Sequence, residues 1–444
     1  MLAVRVGRCA SMEATLRALG PRGRFCLDGL RGHPEGRWAF LGAEPEEVRR
    51  VDVGAPDPLG VLGAIEPAPP ARWASEAPPL SAAAVPRWVG MLSYDAAWSD
   101  PRALGLRIAP RHRREGWPAV WLGRYEALLA VDQERGETWA IGTDDARVQR
   151  LAAAARAVTA EPRARVGEPI VEPPAVHRAR IECALEAIAA GRIYQVNLAR
   201  PWRAAYEGDP LALFAAMRDA SPVPLGAYLE LEGGAIVCRT MERFLRWDRA
   251  SRELWTSPIK GTIARTGADD DGEARRLRSD DKERAEHSMI VDLMRNDLSR
   301  VAEVGSVRVI DPLRVEPFAG LSHLVSTVSC VTRPGVDLAD VLRATFPPGS
   351  VTGTPKLAAM ELIEQQEATA RGPYTGALGY VDRGGGLSLA VAIRAAAVRA
   401  GEVTYFAGGG LVSASDPGRE IEETELKARV FLDAIRRLNE NNLD

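Results

Sequence analysis

Lysine is nearly absent from this chain. Of its 444 residues, 57 are lysine or arginine, and only Lys260, Lys282, Lys356 and Lys427 are lysines. Arginine stays protonated at any ordinary pH, whereas a buried lysine can shed its proton and act as a base or nucleophile. A lysine kept in so arginine-rich a chain marks a place where a guanidinium will not serve. Lys260, in the stretch SPIKGTIAR, is the first such place.

Other shortages exclude whole classes of function. Cys9, Cys26, Cys183, Cys238 and Cys330 are odd in number, scattered and without CxxC spacing. That argues against a zinc site or a disulfide framework and suits a reducing cytoplasm. The net charge of −3 offers no footprint for nucleic acid or an anionic membrane. No apolar run is long enough to span a bilayer, and MLAVRVGRCASMEA lacks the apolar core of a signal peptide. The expectation is a cytoplasmic protein with no nucleic-acid and no membrane partner. Five histidines show no HExxH or other metal spacing, no hydrolase triad emerges, and there is no Walker-type GxxxxGK[ST]. His323, in the apolar run SHLVSTV, reads by itself as a core histidine.

What is present is a chain with 46% hydrophobic residues, enough for a sizeable core. Residues 55–86, rich in Pro and Ala, read as a long surface excursion, and 158–177 as a linker. They separate an N-terminal region, 1–165, from a C-terminal one, 175–440. The first is strand-rich, with WVGMLSYD and YEALLAVD as examples. The second opens with a helix from His177 to Ala190, stopped by Gly191. The strand IYQVNLAR follows, on which Gln195 and Asn197 face one way and Tyr194, Val196 and Leu198 the other. Many later strand-like runs have no helix between them, which favours antiparallel sheets with helices on their outer faces.

Two helices place acids on their apolar side. In DKERAEHSMIVDLMRNDLSRV, Glu283, Glu286 and Asp297 share a stripe with Ile290 and Leu293. In EIEETELKARVFLDAIRRL, Glu420, Glu423 and Lys427 align with Phe431, Ala434 and Leu438, while Glu422 and Glu425 face away. Buried carboxylates are costly alone. A hard cation such as Mg²⁺ relieves them and keeps positions open for a substrate carboxylate. The competing reading is that these turns emerge into solvent or pair with arginines. FPPGSVTGTPK places glycines before a helix opening at Thr354 and Pro355, and FAGGGLVSASD places Gly408, Gly409 and Gly410 before the second acid-bearing helix.

These stretches together resemble the chorismate-utilising enzymes, which include the first components of anthranilate synthase and aminodeoxychorismate synthase, isochorismate synthase and salicylate synthase. The resemblance covers 175–440 and rests on GRIYQVNLAR, MERFL, PIKGT, AEHSMIVDLMRNDLSRV, HLVSTV, FPPGSVTGTPK, YTGALGY, AIRAA and GGGLVSASDPGREIEETELKA, in that order. It implies an α+β fold of two stacked antiparallel sheets flanked by helices. It implies Mg²⁺ on Glu286 and Glu423, supported by Glu283 and Glu420. It also implies a chorismate pocket made by Tyr374, Arg394, Gly408, Gly410, Thr262, His323, Ser350, Lys427 and Gln195.

Two positions separate the members. Water-adding relatives carry a lysine where this chain has Gln195, which cannot act as a base at neutral pH. PIKGT, with Lys260, resembles aminodeoxychorismate synthases, whereas anthranilate synthases resemble PIAGT there. The resemblance implies that Lys260, neutral in its pocket, attacks the ring of chorismate while Glu242 protonates the departing hydroxyl and ammonia completes the amination. Ammonia is expected from a separate glutamine amidotransferase subunit, since GxCxG is absent. Anthranilate synthase component I and a non-catalytic chorismate-binding subunit are the rival readings. Thr240-Met241, in place of the usual Ser-Pro, and Leu389, where an acid is usual, depart from the family pattern.

Overall fold

Successive residues on a strand point to opposite faces, so a strand covered on both sides must be apolar at nearly every position. Ala127–Asp132 is such a strand, buried along its whole length. Its Leu128 lies in the core that holds Phe25 and Trp121, and Leu129 in the core on the other side that holds Phe214 and Phe431. The computed structural model describes residues 1–9, 11–74, 76–99, 111–112, 116–264, 270–318 and 321–440, with backbone only at 99, 262, 264, 270, 271, 282 and 321.

Among the described residues, thirteen strands form one sheet and ten form another. The centre of the first runs Gly234–Thr240, Ala395–Arg399, Glu402–Leu411, Gln195–Gly208. The second begins Ile259–Ala264, Leu321–Val331, Glu253–Ser257, Arg243–Asp248, Leu387–Val391. The pairings that build both are antiparallel. Phe40 and Ile236 of the first sheet meet Val89, Trp121 and Leu378 of the second in the core between them. Helices Asp145–Arg156, Pro210–Ala220 and Pro417–Glu440 cover the first sheet's outer face. Asp281–Ser299 and Leu338–Thr345 cover the second's. The fold is thus α+β, two stacked antiparallel sheets flanked by helices. No described helix is long and apolar enough to cross a membrane.

Residues 1–165 supply strands to both sheets. Two connecting segments are less free than their composition suggests. Within 55–86, Leu59, Leu62 and Ile65 are buried in the core of the second sheet. Within 158–177, Ala164–Val166 and Ile170–Val171 pair with the Gln195–Gly208 strand. Three apolar side chains and a few ladder hydrogen bonds outweigh the Pro and Ala content. The helix expected to open at Thr354 instead spans Lys356–Gln366, with Pro355 just before it.

Asp297 does face inward, and its partner is a lysine. Lys356 Nζ lies 2.6 Å from Asp297 Oδ2 and donates to the carbonyls of Thr345 at 2.8 Å and Pro347 at 2.9 Å. All three ammonium protons are therefore used. This lashes the FPPGS turn, which carries Ser350, to the Asp281–Ser299 helix. Lys356→Met leaves Asp297 buried without its cation and should cost about 3–5 kcal/mol in urea denaturation. The double variant with Asp297→Leu should recover most of that loss.

Candidate active site

The site forms where the Gln195–Gly208 and Glu402–Leu411 strands run side by side, with Asn197 opposite Gly410 and Ala199 opposite Gly408. The glycines make room for neighbours. A Cβ on Gly410 would lie 2.7 Å from Lys260 Nζ and 3.0 Å from Gln195 Nε2. One on Gly409 would lie 2.9 Å from Glu420 Oε2, and one on Gly408 would lie 2.9 Å from Asn197 Oδ1. Any side chain in this run displaces a polar group of the site.

Lys260 reaches this point from the edge of the second sheet. The register between its strand and Leu321–Val331 shifts between Lys260 and Thr262, around Gly261 at φ 87°. A Cβ on Gly261 would lie 3.0 Å from Glu283 Oε2. Lys260 Nζ sits 3.0 Å from Glu286 Oε2. Burial works to lower the lysine's pKa, but Glu286, Glu423 and Glu420 outweigh it and the net shift is upward. The carboxylates around Lys260 favour its ammonium form, whereas the resemblance implies a neutral amine in the reacting pocket.

The same contacts bring the two acid-bearing helices together, because Lys260 feels Glu286 on one and Glu423 and Glu420 on the other. Lys427 Nζ adds a second positive group, 2.6 Å from Glu423 Oε1 and 2.8 Å from the Gly408 carbonyl. Glu422 and Glu425 are exposed, as their helical positions predict. As placed, no three described His, Cys, Asp or Glu side chains gather closely enough to hold a metal ion. The donor set nevertheless suits a hard divalent cation: carboxylate oxygens from two helices, with an ammonium standing among them.

Glu242 occupies the step between Gly234–Thr240 and Arg243–Asp248. Its N–H donates to Thr240 Oγ1 at 3.1 Å and its carbonyl accepts from the Val391 N–H at 3.0 Å. Thr240, one of the departures from the family pattern, thus anchors the glutamate's backbone. Leu389, the other, is buried in the apolar core of the second sheet. Burial pushes the Glu242 carboxyl up to about 7, although Ser350, the Ile259 N–H, Lys260 and Lys427 pull it down. A carboxylic acid that keeps its proton near neutrality is equipped to give it away.

The remaining predicted residues divide by chemistry. Arg394 has φ 50°. Burial lowers its pKa, with only the Tyr405 hydroxyl acting against it, and among the described residues no acid pairs with it. Such a guanidinium suits a carboxylate ligand. Tyr374 is buried and stacks on Phe406 with ring centres 5.1 Å apart. His323 Nδ1 donates to the Gly261 carbonyl at 3.3 Å, and burial, with help from Arg394, pushes its imidazole down to about 4. It is therefore neutral. Ser350 hydrogen-bonds Glu242. Thr262 lies on the strand opposite His323, and its side chain falls outside the described residues.

Sequence reasoning missed two supporting groups. Arg371 and Glu367 form a buried pair at 2.7 and 2.8 Å. Arg371 also donates to the carbonyls of Asn197 and Val351, while Glu367 accepts from the Ala199 N–H. Their four-residue spacing was visible, but not that both would be buried. His287, next to Glu286, donates from Nδ1 to the Lys260 carbonyl at 3.3 Å and accepts from Ser326 Oγ at 2.7 Å. It ties the Glu286 helix to the lysine's own backbone. The apolar helix pattern gave no sign of that partner.

Similarity to known proteins runs along most of the chain. The profile of the chorismate binding enzymes matches residues 39–433. Aminodeoxychorismate synthase component 1 of Escherichia coli (strain K12) is 42% identical over 241 residues, 54% of this chain and 53% of that protein, so the match spans about half of each. Anthranilate synthase component 1 1 of Haloarcula marismortui is 34% identical over 426 residues, covering 90% of this chain and 85% of the relative. Among solved structures, anthranilate synthase component I from Streptococcus pneumoniae superposes with a TM-score of 0.74 at 26% identity, covering 90% of this chain and 93% of that one. The menaquinone-specific isochorismate synthase of Escherichia coli shares the fold, with a TM-score of 0.72 at 17% identity over 98% and 94% of the two chains. With a match from 39 to 433 that runs through strands of both sheets and the glutamate-bearing helices on their outer faces, the chain belongs to the family of chorismate binding enzymes.

Proposed function

We propose that this protein aminates chorismate at C4, giving 4-amino-4-deoxychorismate. The observation that carries the reading is the place of Lys260: its Nζ lies at Gly410, between the glutamates of two helices, not on the surface. A surface ion pair in this arginine-rich chain would not need a lysine.

In the proposed reaction Arg394 and Tyr374 hold the enolpyruvyl carboxylate. Glu286 and Glu423 would hold Mg²⁺, with Glu283 and Glu420 behind them, and the cation would supply positive charge to the ring carboxylate. Lys260, having given its extra proton to water, forms a bond to C2 as the C4–O bond breaks. Glu242 gives its proton to the departing hydroxyl, which leaves as water. The adduct nitrogen then returns a proton to Glu242. Ammonia bonds to C4, the C2–N bond to Lys260 breaks, and one ammonia proton passes to the departing lysine nitrogen. An arginine fails in this role because it would stay protonated.

Relatives named as component 1 support ammonia delivery by a separate glutaminase subunit. Anthranilate synthase component I is the second reading, favoured by the relative matched over 90% of the chain. It gives Lys260 no task.

Incubation of the purified chain with chorismate, Mg²⁺ and an ammonium salt should yield aminodeoxychorismate, and chelation of the metal should stop it. Anthranilate or salicylate as product overturns the assignment, and no product favours a binding subunit. Lys260→Ala should lower turnover more than about a hundredfold while chorismate still binds. Retention of the wild-type rate would remove the nucleophile. Glu242→Gln keeps the shape and loses the proton, so turnover should fall about 10²–10⁴-fold in the same product assay.

A further inference from the structure

Glu242, the proposed proton donor, lies where the sheets hold it least. It falls between the strands Gly234–Thr240 and Arg243–Asp248. Just after Arg243 the register shifts toward both neighbours, Glu253–Ser257 and Leu387–Val391. Such irregularities re-aim a side chain, but they also interrupt the ladder that would fix it.

The loop from Asp28 to Arg37, in the N-terminal region, holds this step from both sides. The loop is closed at its neck. The Leu30 N–H donates to the Gly36 carbonyl at 2.8 Å, and a Cβ on Gly29 would strike that same carbonyl. Its two acids reach the arginines on either side of Glu242. Asp28 Oδ2 accepts from Arg239 Nη1 at 2.8 Å, with both side chains 1% exposed. Glu35 Oε2 accepts from Arg243 Nε at 2.9 Å and also from Nη2. Arg243 Nη1 donates to Ser388 Oγ at 2.7 Å, which pins the guanidinium between the loop and the Leu387–Val391 strand. His33 Nε2 lies 2.8 Å from Glu316 Oε1 and seats the loop on the residue paired with His323.

We infer that this loop positions Glu242, with Glu35 acting on it through Arg243. The inference rests on the function proposed above and names what holds its proton donor in place. The two acids share one closed loop, so the two arginines cannot drift apart, and the chain between them is left with one path. That path delivers the Glu242 carboxyl to Ser350 and the Ile259 N–H. The Arg239 N–H also donates to the Arg394 carbonyl at 3.0 Å, so the same clamp sets the spacing between the proton donor and the guanidinium suited to a substrate carboxylate. The Glu35 side chain is 34% exposed and that of Arg243 is 9% exposed. Solvent weakens the ion pair as a source of stability, and what remains is the geometry it imposes on a buried guanidinium. Glu35 is therefore a positioning residue.

The test follows chorismate loss with saturating Mg²⁺ and ammonium salt. Glu35→Ala should lower kcat about tenfold. Chorismate affinity, measured without ammonia by equilibrium dialysis, should stay within about twofold of wild type. Glu35→Gln should keep kcat within about threefold, because both bonds fall on one oxygen that the amide retains. In the Glu242→Gln background, Glu35→Ala should cost less than about twofold more, since the proton it positions is gone. The same tenfold loss in both backgrounds overturns the inference and makes the loop a general support. Unchanged kcat in Glu35→Ala, or a Gln variant as slow as the Ala variant, overturns it too. Glu242→Gln alone at the wild-type rate is a separate failure: the acid of the proposed function is then wrong, and the clamp falls with it. Should Glu35→Ala not fold, Ser388→Ala removes the other hold on Arg243 and is read in the same cycle by the same criteria.

Discussion

The ammonium of Lys260 balances carboxylates that arrive from two helices far apart in the chain, Glu286 on one and Glu420 and Glu423 on the other. Carboxylates brought together away from water repel one another and lose hydration, and the penalty exceeds any packing gain unless positive charge lies among them. The meeting of the two helices therefore depends on cations at that point. Lys427, bound to Glu423 and the Gly408 carbonyl, is the other one. The glycine run serves the same end, since it lets the charged groups approach the strand backbone.

Around this centre the environment shifts groups away from their usual states. Glu242 is held near 7 by burial, so it keeps a proton that an exposed glutamate would have lost. His323 and His287 are pushed down to about 4 and stay neutral, which suits donors to carbonyls rather than charged bases. Arg394 keeps a guanidinium without an acid among the described residues. A protonated acid, two neutral imidazoles and an uncompensated guanidinium together favour an anionic substrate whose leaving group needs a proton.

Precision comes from buried charge pairs outside the centre. Lys356 uses all three protons on Asp297 and two carbonyls, fixing the turn that carries Ser350. Arg371 and Glu367 bind the backbone at Asn197, Ala199 and Val351, so the strand bearing Gln195 cannot slide against the Ser350 turn. Removing one member of such a pair leaves a buried charge, which is why these sites tolerate little change.

Much of this was legible in the residues alone. Period-two alternation marked the strands, and strands without intervening helices indicated antiparallel sheets. The 3.6-residue repeat placed Glu283, Glu286, Glu420 and Glu423 on apolar stripes, and rarity singled out the lysines. Periodicity stops at the single element, however. It put Asp297 on the same stripe as Glu286, yet only the packed structure gives Asp297 to Lys356 and Glu286 to Lys260. It marked 55–86 and 158–177 as loose, because composition does not show which few apolar residues find a core or which short strands find an edge. The protonation of Lys260 was also out of reach, since it depends on charges from residues up to 163 positions away in sequence. Local order comes from neighbours along the chain, and so the sequence by itself determined the elements and their chemistry. Charge balance and hydrogen-bond partners come from neighbours in space, and so only the tertiary structure decided which of those groups form the site.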